Sequence, residues 1–229
     1  MSGESERSLI QPEIFESETE AFQAASDLLV DAISSSIAAR SSCVLVLAGG
    51  KSAISVMRFA FQSDINWSLV HLVLADERCV PISHVDRNDF ALTGLVESAS
   101  LLHRPVIHGI PAELGPHLGA EKFAVQLDSI RQPDIALLGV ADDGHIASLF
   151  PNSTALSASG DAVPVTDSPK EPRERVSCSL AYLTRPTYRI ALQTGHNKRD
   201  IFVRLQQGER LPLALFSPTH WFMDYNATC

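Results

Sequence analysis

Apolar residues in the first sixty positions form two helical patterns with a short continuous run between them. Over residues 13–40 they recur at the spacing of an amphipathic helix. Residues 43–48 are almost wholly apolar, which is typical of a strand buried on both faces, and Gly49-Gly50 end the run. Helical spacing resumes over residues 52–61. The pattern predicts a helix, a strand, a glycine turn and a second helix, in that order.

The order of buried strand and polar turn recurs along the chain. The further predicted strands are short apolar runs: residues 69–75 before DER, 134–140 before ADDGH, 188–193 before TG, and, as a candidate fifth, 213–216. A helical stretch over residues 197–206 follows the TG turn. The stretch 151–175 holds four prolines among Ser, Asp and Gly, and we expect loops around one short strand over residues 162–166.

Strands that alternate with helices indicate the α/β class and a mostly parallel sheet covered on both faces. Such sheets bind ligands beyond the carboxyl ends of their strands, so the polar turns are expected to converge there. No boundary divides the sequence convincingly. We therefore expect one domain over residues 1–229.

Composition excludes several classes of protein. Of 229 residues, 45% are hydrophobic and 20% charged, and the net charge is −9, which argues against a nucleic-acid or anionic-membrane partner. No obligate protein partner is evident. The first ten residues have no signal-peptide core and no run approaches the length of a membrane helix, so a cytoplasmic protein is expected. The four cysteines are widely spaced and are expected to be reduced.

The turn after the first predicted strand has the composition of a phosphate-binding loop. Gly49 and Gly50 leave backbone amides unobstructed, Ser52 offers a hydroxyl and Lys51 an ammonium. The spacing matches neither a P-loop nor GxGxxG. A tight strand-to-helix turn with no ligand is an equally good interpretation of this loop alone.

Two further turns carry groups suited to acid–base chemistry. Asp76 could orient a base or a substrate hydroxyl while Arg78 holds an oxyanion or phosphate, unless both belong to a solvated ion cluster. In the ADDGH turn, Asp143 could fix the tautomer of His145 and stabilise the imidazolium that forms when the ring takes a proton. The alternative is a helix-capping turn in which the histidine only packs.

Lys198 lies in the first turn of a predicted helix, where a cation is unfavourable unless an anion such as phosphate is present. An exposed, solvated lysine is the alternative. The other seven histidines show neither HExxH nor paired-ligand spacing. Neither a metal site nor a cofactor is therefore expected.

The chain resembles the 6-phosphogluconolactonase family over nearly its whole length, through the ordered segments AGGKSA, INWSLVHLVLADERCVP, LLGVADDGHIASLFP, DSPKEPRERV and LQTGHNK. DER-x-VP and DGH-x-ASLFP are the most specific of these motifs. The resemblance implies a single-domain, Rossmann-like three-layer α/β/α fold, similar to the superfamily of glucosamine-6-phosphate deaminase and ribose-5-phosphate isomerase. The functional positions it implies are Gly49, Gly50, Asp76, Arg78, His145, Lys198 and, as a phosphate or sugar contact or else a structural arginine, Arg175.

The sequence departs from the family pattern at three positions. Lys51 replaces a loop hydroxyl, Ala141 replaces a glycine before DGH, and Arg87 replaces a serine before Asn88. The implied activity is hydrolysis of a sugar-phosphate lactone, with His145 activating water. An amino-sugar-phosphate deaminase or isomerase and a noncatalytic sugar-phosphate-binding protein are the alternatives.

Overall fold

The computed structural model describes residues 9–228. Along the chain its elements are β1 Glu13–Phe15, α1 Glu18–Arg40, β2 Cys43–Leu47, α2 Lys51–Ala60, β3 Val70–Leu74, β4 Asp76–Arg78, α3 Asn88–Ser98, β5 Val106–His108, α4 Pro116–Ser129, β6 Ile135–Gly139, β7 Ala162–Val165, β8 Arg175–Cys178, α5 Leu180–Leu183, β9 Tyr188–Gln193, α6 Arg199–Gln206, α7 Pro212–Phe216 and β10 His220–Asp224. Residues 1–8 of the predicted domain, and Cys229 among the predicted thiols, lie outside the described residues.

Seven strands form the central sheet, in the order β1-β10-β9-β6-β2-β3-β5. Every neighbouring pair is parallel. Helices flank the sheet; α1, for example, contacts β1, β2, β9 and β10. The prediction of an α/β fold with a mostly parallel central sheet is confirmed.

The centre of the sheet explains the continuous apolar runs of the sequence. Every residue of β2 is buried, and this strand pairs with β3 on one side and with β6 on the other. Leu45, for example, lies opposite both Leu72 and Ile135. A strand in this position has no solvent-facing side, so it carries no alternating polar residues.

A second, smaller sheet lies next to the first and is antiparallel, in the order β4-β8-β7. Its first strand, β4, begins one residue after β3 ends, because Ala75 alone separates Leu74 from Asp76. The predicted strand over residues 162–166 is confirmed as β7. The small sheet therefore carries the DER motif directly away from the carboxyl end of a central strand.

Two predicted elements were wrong in extent or type. The first helix begins at Glu18 rather than at residue 13, because Ser17 is extended and its side chain accepts a hydrogen bond from the Glu20 amide as an N-cap. Residues 213–216 belong to the helix α7, not to a strand. Pro212 occupies the first turn of this helix, where its fixed φ and missing N–H are tolerated, and the nearby strand is β10.

No element was predicted between residues 79 and 133, yet α3, β5 and α4 lie there. Both helices have weakly segregated apolar faces; Phe90 of α3 and Val125 of α4 are exposed. Helical periodicity is therefore faint in this part of the sequence. No helix among the described residues has the length and apolar character needed to cross a membrane.

Candidate active site

A cavity of about 390 Å³ lies beyond the carboxyl ends of the central strands, a volume typical of small-molecule sites. The predicted site residues that line it are Gly50, Lys51, Ser52, Asp76, Arg78, His145, Arg175 and Lys198. They come from the turns after β2, β6 and β9 and from the small sheet. Gly49 and Asp143 are not part of the lining. Gly49 packs against the lining residue Asn88, and Asp143 forms a hydrogen bond with His145.

His145 forms a hydrogen-bonded pair with Asp143 at the cavity wall. The Nδ1 atom of its ring lies 2.5 Å from Oδ1 of the aspartate, which also accepts the His145 amide at 3.1 Å. The ring packs against Phe150, with 4.3 Å between ring centroids. One side of the imidazole is thus fixed by a carboxylate and one face by an aromatic ring. Within residues 9–228, the Nε2 atom has no hydrogen-bond partner in the protein.

The protonation of Asp143 determines which nitrogen of His145 carries the proton. Burial raises the pKa of the Asp143 carboxyl, but the hydrogen bond and charge of the His145 ring outweigh burial and hold this pKa well below its usual range. An ionised carboxylate only accepts hydrogen bonds, so Nδ1 must be the donor. A neutral imidazole then has its lone pair on Nε2. This is the tautomer that a general base at the cavity requires.

Arg78 and Arg175 lie directly opposite each other on β4 and β8. Like charges in this position destabilise a sheet, and neither guanidinium forms an ion pair with another residue in 9–228. Arg78 donates from Nη1 to the carbonyl of Asp86, and its buried Nε has no partner among the described residues. Arg175 donates to the carbonyls of Pro172 and Lys170, at 2.9 and 3.0 Å. Two cations without an ion-pair partner among residues 9–228 therefore face a cavity that an anion can enter.

Asp76 is buried and its two carboxylate oxygens are engaged. Oδ2 accepts a hydrogen bond from the Ser148 hydroxyl at 2.5 Å, and Oδ1 accepts one from Asn88 Nδ2 at 3.3 Å. Arg175 Nη1 lies 3.4 Å from the same Ser148 hydroxyl oxygen. Asp76 is therefore a fixed negative charge in a network that also positions Arg175.

Gly49 and Gly50 have different reasons for being glycine. A β-carbon on Gly49 would lie 2.3 Å from the side chain of Asn88, whereas one on Gly50 would meet nothing within 4 Å. Gly50 precedes α2, which has no side-chain N-cap and no acid in its first turn. The amides at the start of this helix, near Ser52, are thus left for water or a ligand anion.

Lys51 lies at the wall of the cavity but does not point freely into it. Its Nζ atom is 3.3 Å from Oε1 of Glu18, which begins α1 and also lines the cavity. The two side chains are 78% and 44% exposed. Lys51 is therefore a cation that already has a carboxylate partner, a contact that the sequence does not reveal.

Two lysines, Lys170 and Lys198, lie near the ADDGH turn that carries His145. Lys198 is partly buried, and burial followed by the charge of Lys170 lowers its pKa against the opposing effect of Asp142 and Asp143. It forms no ion pair with another described residue. Lys170 forms an ion pair with Asp142 and lies 3.9 Å from Asp143 Oδ2. Of the lysines that the structure describes, only Lys198 thus presents an unpaired ammonium to the cavity.

Arg87 and Glu77 belong to the support of the site rather than to the cavity. Arg87 is buried and forms ion pairs with Asp89 at 2.7 Å, Glu113 at 3.2 Å and Glu77 at 3.9 Å. Glu77 is fully buried and accepts the amides of Asn88 and Asp89 at the start of α3. The departure at residue 87 therefore strengthens the base of a helix and leaves the cavity lining unchanged.

Sequence reasoning did not assign several residues that the structure brings to the site or to its immediate support, among them Asn88, Ser148, Lys170 and Glu18. Asn88 and Ser148 lie inside or just after recognised motifs, so motif position could have indicated them. Lys170 and Glu18 act on loops far away in sequence, and no local pattern reveals that contact. Ala141 keeps its turn through backbone hydrogen bonds with Gly144 and His145.

The family model for glucosamine-6-phosphate isomerases/6-phosphogluconolactonase matches residues 16–224. The chain belongs to this family. Among named family members, the 6-phosphogluconolactonase of Mycobacterium leprae is 34% identical, covering 94% of this chain and 96% of the relative. The 6-phosphogluconolactonase of Neisseria meningitidis serogroup B is 32% identical, covering 85% and 87%.

The family fold is also found in a solved structure. The crystal structure of 6-phosphogluconolactonase from Thermotoga maritima superposes with a TM-score of 0.83 and covers 93% of this chain and 100% of its own. Its sequence identity is 21%, so this likeness concerns the fold. The resemblance to the 6-phosphogluconolactonase family and the fold that it implies are confirmed.

Proposed function

We propose that this protein hydrolyses 6-phospho-D-glucono-1,5-lactone to 6-phospho-D-gluconate, a reaction of the oxidative pentose phosphate pathway, and that it does so in the cytoplasm. The names of the family members at 32% and 34% identity support this substrate. The observation that carries the proposal is the state of His145. Its Nδ1–H is held by Asp143, while Nε2 has no partner among residues 9–228 and lies beside a cavity lined with cations.

In the proposed reaction, His145 Nε2 removes a proton from water as the water oxygen bonds to the lactone carbonyl carbon. Asp143 orients the ring and stabilises the imidazolium that results. The carbonyl oxygen becomes an oxyanion, which the Arg78 guanidinium stabilises. The tetrahedral intermediate then collapses, the bond from this carbon to the ring oxygen breaks, and the imidazolium gives its proton to that oxygen. Water is the only co-reactant.

The phosphate group requires cations at a distance from the reacting carbon. Lys198 offers a partly buried ammonium that forms no ion pair with another described residue, and the amides at the start of α2 with the Ser52 hydroxyl offer neutral donors. Arg175 supplies a further fixed positive charge. A chain with a net charge of −9 can attract a dianion in this way, through local rather than overall charge.

The rival reaction in the same family is deamination and isomerisation of an amino-sugar phosphate. That chemistry requires Asp76 as a base at the second carbon of the sugar. Here Asp76 is buried and accepts hydrogen bonds from Ser148 and Asn88. Both oxygens of this carboxylate are engaged by the protein rather than turned to a sugar carbon, which favours the lactonase.

A coupled assay tests the proposal. Glucose-6-phosphate dehydrogenase generates the lactone, and its disappearance is followed with and without the protein. We expect disappearance faster than spontaneous hydrolysis, and a loss of about 100- to 10,000-fold in kcat for His145→Ala, the usual contribution of general acid–base catalysis. His103→Ala, at an exposed histidine away from the cavity, is the matched control.

Two outcomes would contradict the proposal. Lactone that disappears at the spontaneous rate at adequate protein concentration would leave a noncatalytic sugar-phosphate-binding protein as the interpretation. Release of ammonia from glucosamine 6-phosphate, in place of lactone hydrolysis, would favour the deaminase. Wild-type turnover in His145→Ala would remove this histidine from the mechanism while leaving the activity intact.

A further inference from the structure

Two carboxylates line the cavity, and they differ in burial and in their partners. Asp76 is buried and bound by Ser148 and Asn88. Glu18 is 44% exposed, and its contact is with Lys51, whose Nζ lies 3.3 and 3.5 Å from the two carboxylate oxygens. Glu18 is thus a partly exposed anion at the wall of a cavity whose other charged groups are mostly cations.

The position of Lys51 makes this carboxylate important. Lys51 is the first residue of α2, whose first turn contains no acid, and a cation there is unfavourable to the helix dipole. Glu18 supplies the missing negative charge from a different helix, α1. An incoming phosphate group can make the same contact with Lys51, and it then competes with the carboxylate for the N–H donors and the charge of the ammonium.

We propose that Glu18 limits the affinity of the cavity for phosphate by competing for Lys51. A doubly charged phosphate gains more from the ammonium than a singly charged or neutral group does, since Coulomb energy scales with charge. The identity of the substrate in this inference rests on the proposed function. The competition between Glu18 and phosphate for Lys51 does not.

Titration with inorganic phosphate by calorimetry at low ionic strength provides the first test. Glu18→Gln frees Lys51, and we expect Kd to fall by about three- to tenfold, with a smaller difference at high salt because exposed charges are screened. Glu16→Gln, an exposed acid two positions away that does not line the cavity, removes the same charge and is expected to leave Kd unchanged.

A double-mutant cycle separates competition from simple repulsion. Competition predicts that Glu18→Gln improves binding much less in a Lys51→Met background, because there is no ammonium to release. An equal gain in both backgrounds would mean that Glu18 acts only through its charge, and the inference would be overturned. No gain for Glu18→Gln, or no measurable phosphate binding by either protein, would overturn it as well.

The kinetic form of the test uses the lactone. Glu18→Gln should lower KM by a similar factor and leave kcat within about twofold, because the pair does not touch the reacting carbon. A wild-type protein that hydrolyses lactone with no KM change in Glu18→Gln refutes the inference alone. A wild-type protein with no lactonase activity refutes the proposed function, while the phosphate titration still tests the competition.

Discussion

Gly49 and Asn88 are packed so closely that a β-carbon on the glycine would lie 2.3 Å from Cγ of the asparagine. The Asn88 amide in turn donates to the carbonyl of Asp76 at 2.8 Å. The first glycine of the loop is therefore required by a neighbour that holds the DER strand, not by the phosphate. The Asn88 side chain thus contacts both the glycine loop and the strand β4.

Gly49→Ala should therefore destabilise the protein by about 1–3 kcal/mol, the usual effect of overpacking. It should also reduce lactonase activity, because Asn88 must move. Gly94→Ala is the matched control, since a β-carbon there meets nothing in an exposed part of α3, and helix propensity predicts a gain of about 0.5–1 kcal/mol. Chemical denaturation measures both, and a neutral Gly49→Ala would contradict the packing argument.

Removing one cation of the opposed arginine pair should weaken the binding of an anionic substrate. Arg175→Met is expected to raise KM at least tenfold, because the guanidinium is buried beside the cavity and forms no ion pair with another described residue. Arg173→Met removes an exposed arginine paired with Glu171 and should change KM by less than about twofold. Steady-state kinetics on variants with matched melting temperatures distinguishes these results. Equal KM values would place Arg175 among purely structural residues.

Arg87→Ala should be the most destabilising of these substitutions. It leaves the fully buried Glu77 without its cation, and breaking a buried charge pair in this way usually costs about 3–5 kcal/mol. Arg204→Ala, which breaks an exposed pair with Glu209, should cost less than about 1 kcal/mol. Urea denaturation compares the two. Similar losses would show that the Arg87 cluster contributes no more than a surface ion pair.

The two histidines at the β5 edge predict a pH dependence of stability. His71 Nδ1 lies 2.9 Å from His108 Nε2, and burial, followed by the charge of His71, lowers the pKa of His108 below its ordinary 6.5. The unfolded chain then binds this proton more readily than the folded one. Stability is full above about pH 6.5 and is lost as the pH falls from there through the lower folded-state pKa.

Melting temperatures between pH 7.5 and 5.5 check this dependence. The wild type should lose more stability over this interval than His108→Gln, whose side chain does not titrate. His103→Gln, at an exposed histidine, should follow the wild-type curve. Parallel curves for the wild type and His108→Gln would show that proton binding by His108 does not differ between the folded and unfolded states.

Strands that are buried on both faces could be predicted from the sequence, whereas elements that are only partly buried could not. The runs now seen as β2, β3, β6 and β9 are buried on both faces, so their composition alone indicated strands. Residues 213–216 are equally apolar but helical, because a short apolar run does not specify its period and Pro212 determines the outcome. The first backbone amide of α3 donates a hydrogen bond to the carboxylate of Glu77, eleven residues earlier. No local sequence pattern shows this contact.

Some features of the site could likewise be predicted from the sequence, and others depend on packing. Turns that follow buried strands identified Asp76, His145 and Lys198 as groups that can meet, since parallel strands share one carboxyl edge. The pairing of Arg78 with Arg175 depends on the register of β4 and β8, which the sequence did not predict. The Glu18–Lys51 contact depends on the packing of two helices. The roles of all these residues in catalysis stay predictions.

The pairing of β1 with β10 bears on the order in which the cavity is assembled. Glu13 lies opposite Phe222, so this edge joins positions separated by nearly the whole described chain. Contacts of such high sequence separation carry the largest loop-closure entropy and tend to form late in folding. Glu18 follows β1 after a single turn. We therefore expect the wall that carries Glu18 to be the last part of the site to form, and its amide protons to exchange before those of β2.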